Sequence, residues 1–466
     1  MISANVNAWN KPRRLRMLAL TAISFVMAAL LGACAGDPAN ESTPTPTDDP
    51  SPTAAASPTT TAEPTPGRVA VADPGFTLAP ADSTTLEAVL AAVPDTPETR
   101  ASLRFDDFEA VRDQFGIEAP GPDADRSAVV DYLMDLMSPM GDGAYGAGFV
   151  ARENWLFGMH NYLNGSETFP YVALDQRNAD QNVVAGNGQS ALEITLGRFD
   201  PEMTETALNE CDECPGHETA EHSGETFYSW GEDFGGSLRN RMAPPVFDQL
   251  GRGGRLWVTE DIAVRTLYTE GMENVIDARH GNMPSLADDD DFALAARALS
   301  GLEIHTAVLS DADRDIDSMA VAIVETGREE DLVREAILSA PLLQRFTMSV
   351  VGTGFDADGT SFTAVVLVHD DESTAEENVD RLVTRVQEGD VAGYGWPTLA
   401  DNTVGSTPTV VPESRSWADV IDSIELSTDG RVLLAKLYGS VNAHALIPSS
   451  AFLGSVPAPN GLLVYE

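Results

Sequence analysis

Apolar positions along the chain follow two rhythms. Leu86, Val89, Leu90 and Val93 recur at helical spacing behind Thr84 and Glu87, which form a capping box, and Pro94 ends the run. Phe108, Val111 and Phe115 repeat the spacing before Gly116, and Val129, Val130, Leu133, Met134 and Met137 make another stripe. Stripes of this kind are the buried faces of amphipathic helices. Between them lie strand patterns: Leu192, Ile194 and Leu196, then Ile304, Thr306 and Val308, then an apolar run over 362–368.

The C-terminal part has the clearest order. A strand at 346–351 leads through Asp356-Ala357-Asp358-Gly359, a hairpin turn by composition, into the strand at 362–368. Ser373 with Glu376 then caps a helix carrying Val379, Leu382, Val383 and Val386, closed by Gly389. Strands at 421–426 and 432–438 flank the turn Asp429-Gly430. Asp-Gly hairpins pair neighbouring strands antiparallel. The expected fold is therefore α+β, with antiparallel or mixed sheets and helices packed on one face. A similar rhythm around 190–280 suggests two related α/β units, 67–300 and 301–466, divided near Gly301.

The N-terminus differs from all of this. Lys11, Arg13, Arg14 and Arg16 precede an apolar run over 17–31, followed by Leu31-Gly32-Ala33-Cys34. A basic region, a short apolar core and small residues before a cut site read as a secretory signal, too short for a spanning helix of about 20 apolar residues. The Leu-Gly-Ala-Cys tetrapeptide resembles the bacterial lipoprotein lipobox. That resemblance covers residues 1–34 and implies that Cys34 becomes the mature N-terminus, carries acyl chains such as palmitate and holds the protein at the extracytoplasmic face of the cell membrane. Arg13-Arg14 also suggests a twin-arginine signal, but Arg16 stands where that signal usually has a large apolar residue. Residues 35–66, with eight Thr and eight Pro, have almost nothing to bury and read as a linker. At about 3.1 Å per residue in polyproline II geometry it reaches roughly 100 Å.

Charge narrows the partners. The chain carries a net charge of −45 with 28 basic and 73 acidic residues, and losing residues 1–33 removes four positive charges and no acid, leaving −49. Such a domain repels nucleic acid and anionic lipid headgroups. Only Lys11 and Lys436 are lysines. Adaptation to high salt and a GC-rich genome both produce this composition. At about 1 M salt the screening length falls to about 3 Å, which makes such self-repulsion tolerable.

Several motifs come close to carrying chemistry. Residues 141–146 match G-x-G-x-x-G but follow a helix instead of a strand, so they lack the dinucleotide-binding context. Asp311, Asp313, Asp315 and Asp317 alternate like calcium ligands, yet Ile316 and Ala322 stand where an EF-type loop needs Gly and Glu. The aspartates at 288–291 suit a helix start. Trp155, Phe157, Tyr162, Phe169 and Tyr171 cluster near the glycine-rich loop and suit a core edge or an apolar ligand. His160, His280, His305, His369 and His444 stand singly, as satisfied or surface residues. No cofactor is expected.

The stretch CDECPGHETAEH, 211–222, reads as a loop between a helix starting at Asp200-Pro201 and a strand at 225–230. His217-Glu218 with His222 misses the metalloprotease spacing by one residue, which on a helix separates the two rings by about 140°. Cys211, Cys214, His217 and His222 could close on zinc only in a very tight knuckle. A redox C-x-x-C would sit at a helix N-terminus, whereas Cys211 follows a helix. In an exported domain the pair Cys211 and Cys214 is expected as a local disulfide, with metal and redox dithiol as the other readings. The functional expectation is a non-enzymatic, lipid-anchored envelope protein that binds an unidentified protein or small molecule. A solute-binding lipoprotein and a hydrolase with an unrecognised site are the alternatives.

Overall fold

The computed structural model describes residues 69–81, 84–121, 123–137, 172–186, 188–212, 214–237, 251–324, 330–390, 416–439 and 462–466. Cys34, the linker, the glycine-rich loop at 141–146, the aromatic cluster at 155–171, His160 and His444 lie outside these residues.

Among the described residues thirteen strands form one mixed sheet, in the order β1-β12-β13-β11-β10-β9-β2-β3-β4-β8-β7-β6-β5. They are β1 (Ala70–Ala72), β2 (Leu103–Asp107), β3 (Ala179–Ala185), β4 (Leu192–Gly197), β5 (Glu218–His222), β6 (Glu225–Trp230), β7 (Gly254–Val258), β8 (Ile262–Thr266), β9 (Ile304–Ser310), β10 (Met348–Phe355), β11 (Ser361–Val368), β12 (Ile421–Asp429) and β13 (Val432–Gly439). β1 joins β12 in parallel, and β2 pairs antiparallel with β9, Leu103 opposite Leu309 and Asp106 opposite Thr306. The helices are α1 (Thr85–Leu90), α2 (Pro97–Ala101), α3 (Phe108–Phe115), α4 (Arg126–Met137), α5 (Pro201–Glu210), α6 (Thr269–Arg279), α7 (Asp290–Gly301), α8 (Ile316–Val324), α9 (Glu330–Ile337) and α10 (Glu372–Glu388). The fold is α+β.

On each side of the β2–β9 pair the strands are connected in the same order. Among the described residues, α3 and α4 lie between the first and second strands of β2-β3-β4-β8-β7 and α5 follows the third, while α8 and α9 lie between the first and second strands of β9-β10-β11-β13-β12 and α10 follows the third. The hairpin of β5 and β6 extends one end of the sheet and β1 the other.

Helices cover both faces of the sheet, where the sequence suggested one. On β11, Phe362, Ala364, Val366 and Val368 join the core that includes Met272 and Val275 of α6 and Phe292 and Ala296 of α7. The alternate residues Val365 and Leu367 pack with Leu382 and Val386 of α10. On β7 and β8, Leu256, Val258 and Ala263 face Phe108, Val111, Leu133 and Leu208 from α3, α4 and α5. A strand buried on both sides must be apolar at consecutive positions, which explains the unbroken run over 362–368.

Local signals appear largely where the sequence put them. Thr84 and Glu87 form the capping box of α1, and Gly116 ends α3 in the left-handed region at φ 61°. α10 starts two residues before the expected cap: the Asp371 carboxylate accepts the Thr374 N–H at 2.9 Å, while Ser373 donates to Asp371. Residues 218–222 form a strand where a loop was expected. Ser223 and Gly224, at φ 50° and 89°, make the tight turn that pairs β5 with β6. β5 is polar and half-exposed, so it shows no apolar alternation.

A buried cation helps to tie down the C-terminal residues. Arg385, on α10, donates Nε to the Leu462 carbonyl at 3.0 Å and Nη1 to those of Ala340 and Pro341 at 3.2 and 2.9 Å. Both Nη atoms reach the Ile337 carbonyl at 3.3 Å. Burial lowers its pKa to about 10, so it remains charged at neutral pH. Arg385→Met should cost about 2–4 kcal/mol, because it leaves buried carbonyls without donors. Urea denaturation checks this, and a loss under about 0.5 kcal/mol would mean that water or backbone rearrangement replaces the guanidinium.

Candidate functional site

A cavity of about 420 Å³ opens where β2 and β9 end together. Thr84, Thr85 and Leu86 come from the start of α1, Phe105 and Asp107 from β2, and Ala110 and Gln114 from α3. Ala296, Leu299 and Ser300 come from α7, Glu303, Ile304 and His305 from the entry to β9, and Ala357 from the β10–β11 turn. Leu86, Phe105, Ala296, Leu299 and Ile304 belong to the core beneath, giving the cavity an apolar floor. Its volume falls within the range of small-molecule sites, about 300–1,000 Å³.

The backbone here is irregular in two places. Glu303 follows α7 in the left-handed region at φ 55°, a position usually given to Gly or Asn. A side chain there costs of order 1–2 kcal/mol. Across β9 and β10, Thr353 pairs with Thr306 and Gly354 with Ile304, so His305 is an extra residue with no partner opposite. Gly354 fits this bulge because a Cβ there would lie 2.7 Å from the Glu303 carbonyl oxygen and 2.4 Å from the Phe362 ring. Bulges re-aim side chains and are common beside functional sites.

The bulge directs His305 to α3. Its Nε2 lies 2.5 Å from Gln114 Oε1, and its ring stacks against Phe355 with centroids 6.4 Å apart. The Gln114 amide nitrogen donates to the Phe355 carbonyl at 3.1 Å, so Gln114 offers His305 its oxygen and Nε2 must carry the proton. Burial lowers the His305 pKa, which keeps the ring neutral at pH 7. Nδ1 therefore has a free lone pair, and it makes no hydrogen bond among the described residues. His305 is only 7% exposed.

His369 provides the contrast. Its Nδ1 donates to the Arg431 carbonyl at 3.2 Å and its Nε2 accepts from the Asn378 amide at 2.8 Å. Both nitrogens are used, and burial again lowers the pKa. His369 is a structural histidine, whereas His305 has one acceptor left over beside a cavity.

Asp107 is the second polar group. Its Oδ1 caps α3 by accepting the Ala110 N–H at 3.0 Å and lies 3.4 Å from the Gln181 amide, while Thr85 reaches Oδ2 at 3.5 Å. Burial raises its pKa, against the lowering effect of the Ala110 hydrogen bond. Glu303 stands exposed at the rim. Among the described residues, no arginine or lysine lines the cavity.

The residues singled out from sequence lie elsewhere. The Sγ atoms of Cys211 and Cys214 are bonded to each other, with Cα atoms 5.4 Å apart. His217 packs edge-on against Tyr228 at 5.7 Å, and His222 Nε2 lies 2.9 Å from Asp277 Oδ2. The aspartates at 311–317 also go separate ways. Asp311 lies 3.9 Å from Arg100, Asp313 accepts from Tyr465, Asp315 caps α8 through Ser318, and Asp317 binds Arg334. Among the described residues no group of three or more His, Cys, Asp or Glu side chains is placed to hold a metal. His305 was visible only as a single histidine. The sole hint was a histidine near the head of a mostly apolar strand, Ile304-His305-Thr306-Ala307-Val308-Leu309.

No family model matches the chain, and no curated protein does. Among solved structures, two crystal forms of TP0453 resemble it. Form I superposes with a TM-score of 0.32 at 8% identity, covering 78% of this chain and 96% of that one. Form III gives 0.28 at 6%, covering 76% and 94%.

The two buried histidines set a pH dependence. Their folded pKa values lie below the unfolded value of about 6.5, so as pH falls the unfolded chain binds protons first. Stability should therefore decline as pH drops below about 6.5 and level off below the folded values. The charged groups acting on the rings are Glu303 for His305, and Asp370, Asp371 and Arg431 for His369. His369→Gln should flatten the plot of unfolding midpoint against pH between 7 and 5.5, whatever it does to the midpoint itself. An unchanged slope would mean that His369 is protonated as readily in the folded protein as in the unfolded chain.

Proposed function

We propose that this chain is a lipid-anchored, extracytoplasmic envelope protein whose α+β domain captures a small molecule without transforming it. The cavity beside His305 carries the binding half of this reading: an apolar floor, a few polar groups at the rim, and a buried histidine with an unused acceptor. The charge pattern at 11–16, the apolar run and Leu31-Gly32-Ala33-Cys34 support the anchored half. Among the described residues, no helix is long and apolar enough to cross a membrane.

A hydrolase is less well supported. A general base is usually held by a carboxylate on one side and a nucleophile on the other. His305 is held by the Gln114 amide instead. The repeated strand order supports reading the two sides of the β2–β9 pair as related units, with the cavity at their junction. The sheet runs continuously through that junction, so the cavity lies within one sheet and not between separate lobes.

Cys34→Ala should move the protein from washed membranes to the soluble extracytoplasmic fraction. Quantitative retention would mean that the apolar segment stays as the anchor. For the binding half, native mass spectrometry of the protein purified from its own envelope should show a bound small molecule. Ser300→Trp, which fills the rim from an exposed position on α7, should abolish it. A wild-type protein that is mass-pure, or a ligand unaffected by Ser300→Trp, would remove the cavity from the account.

A further inference from the structure

We infer that the cavity selects an amphipathic organic cation, a primary amine on an apolar body. This rests on the binding reading above and names the class of its ligand.

The cavity's polar groups are unequal in kind. Asp107 offers a carboxylate, Glu303 a second at the rim, and His305 a lone pair on Nδ1, while among the described residues no arginine or lysine lines the wall. Asp107 accepts one good hydrogen bond, from the Ala110 N–H, and its contacts with Gln181 and Thr85 are long, 3.4 and 3.5 Å. A carboxylate drawn partly out of water with so few close donors is stabilised by a cation brought to it. An ammonium has three N–H donors and no acceptor, which suits a site rich in acceptors. An anion would meet the like charges of Asp107 and Glu303, with Arg112 acting on Asp107 only from outside the lining.

The His305 lone pair is the second, independent observation. It belongs to a histidine more than nine-tenths buried, on a bulge that sets its ring beside the cavity, in the tautomer that Gln114 enforces. No described residue donates to this acceptor, so a ligand N–H entering the cavity would find it open. The floor of Leu86, Phe105, Leu299 and Ile304 takes the apolar body. A lipid amine would arrive with its phosphate, for which the wall has no cationic side chain, so a free amine is the class that fits.

The test is calorimetric titration of the full mature protein in non-ionic detergent with three probes of similar size: phenethylammonium, 2-phenylethanol and phenylacetate. Phenethylammonium should bind at least tenfold more tightly than phenylacetate, with 2-phenylethanol between them. Asp107→Asn keeps a capping residue on α3, and Glu303→Gln changes only charge at an exposed position, so both should fold with nearly wild-type melting temperatures. Each should weaken phenethylammonium about tenfold and change 2-phenylethanol less than twofold. Ser300→Trp should abolish binding of all three. If phenylacetate or the alcohol binds as tightly as the amine and Ser300→Trp still blocks it, the cation class is wrong and the binding reading stands. If none of the three binds the folded protein, both fail.

Discussion

Everything in the domain hangs on the pairing of β2 with β9. It joins the two strand sets into one sheet, and its end forms the cavity. Leu103 and Phe105 meet Ala307 and Leu309 in the core beneath α7. The opposite face carries a row of polar residues: Thr363, Thr353, Thr306, Asp106, Asn182 and Thr195 lie side by side across six strands. All six are buried, and Thr195 donates to Asn182 Oδ1 at 3.2 Å. Polar groups in such a place cost free energy unless their partners are in register. A one-residue slip of β2 would turn Asp106 into the apolar core and Phe105 into the polar row. The row therefore specifies the register of the seam, and with it the position of Asp107 relative to His305.

What the sequence revealed was local. Caps, Asp-Gly turns and apolar periods depend on residues within a few positions of one another, and they located α1, α3, the β10–β11 hairpin and the β12–β13 hairpin. The seam joins residues about 200 positions apart, and no period within either strand announces it. Coverage of both faces was legible in principle, since 362–368 is apolar at consecutive positions, but an unbroken run also suits one buried helix. The candidate site was less legible still. Gln114 lies 191 positions from His305, and the bulge and the left-handed Glu303 arise from how α7 delivers the chain into β9.

The lack of basic residues among the described lining of the cavity follows from how the chain uses its few cations. Arg100 binds Asp95 and Asp289, Arg112 and Arg198 share Asp180, Arg265 reaches Glu193, and Arg381 links Glu377 to Glu466. Arg385 holds backbone carbonyls, and Lys436 lies between Asp356 and the rings of Phe76 and Phe362. Each joins segments distant in sequence or secures a loop. With 28 basic residues against 73 acids, many carboxylates must go without a basic partner. The surplus sets up a negative field around the whole domain, and a concave site with low-dielectric walls concentrates such a field. An approaching organic cation would gain from that field before any contact forms, and an anion would be slowed by it. Salt weakens this long-range attraction, but it screens the enclosed contact with Asp107 much less. Under the proposed binding role, the net charge would govern how fast a ligand arrives, while Asp107 and His305 would govern which ligand stays.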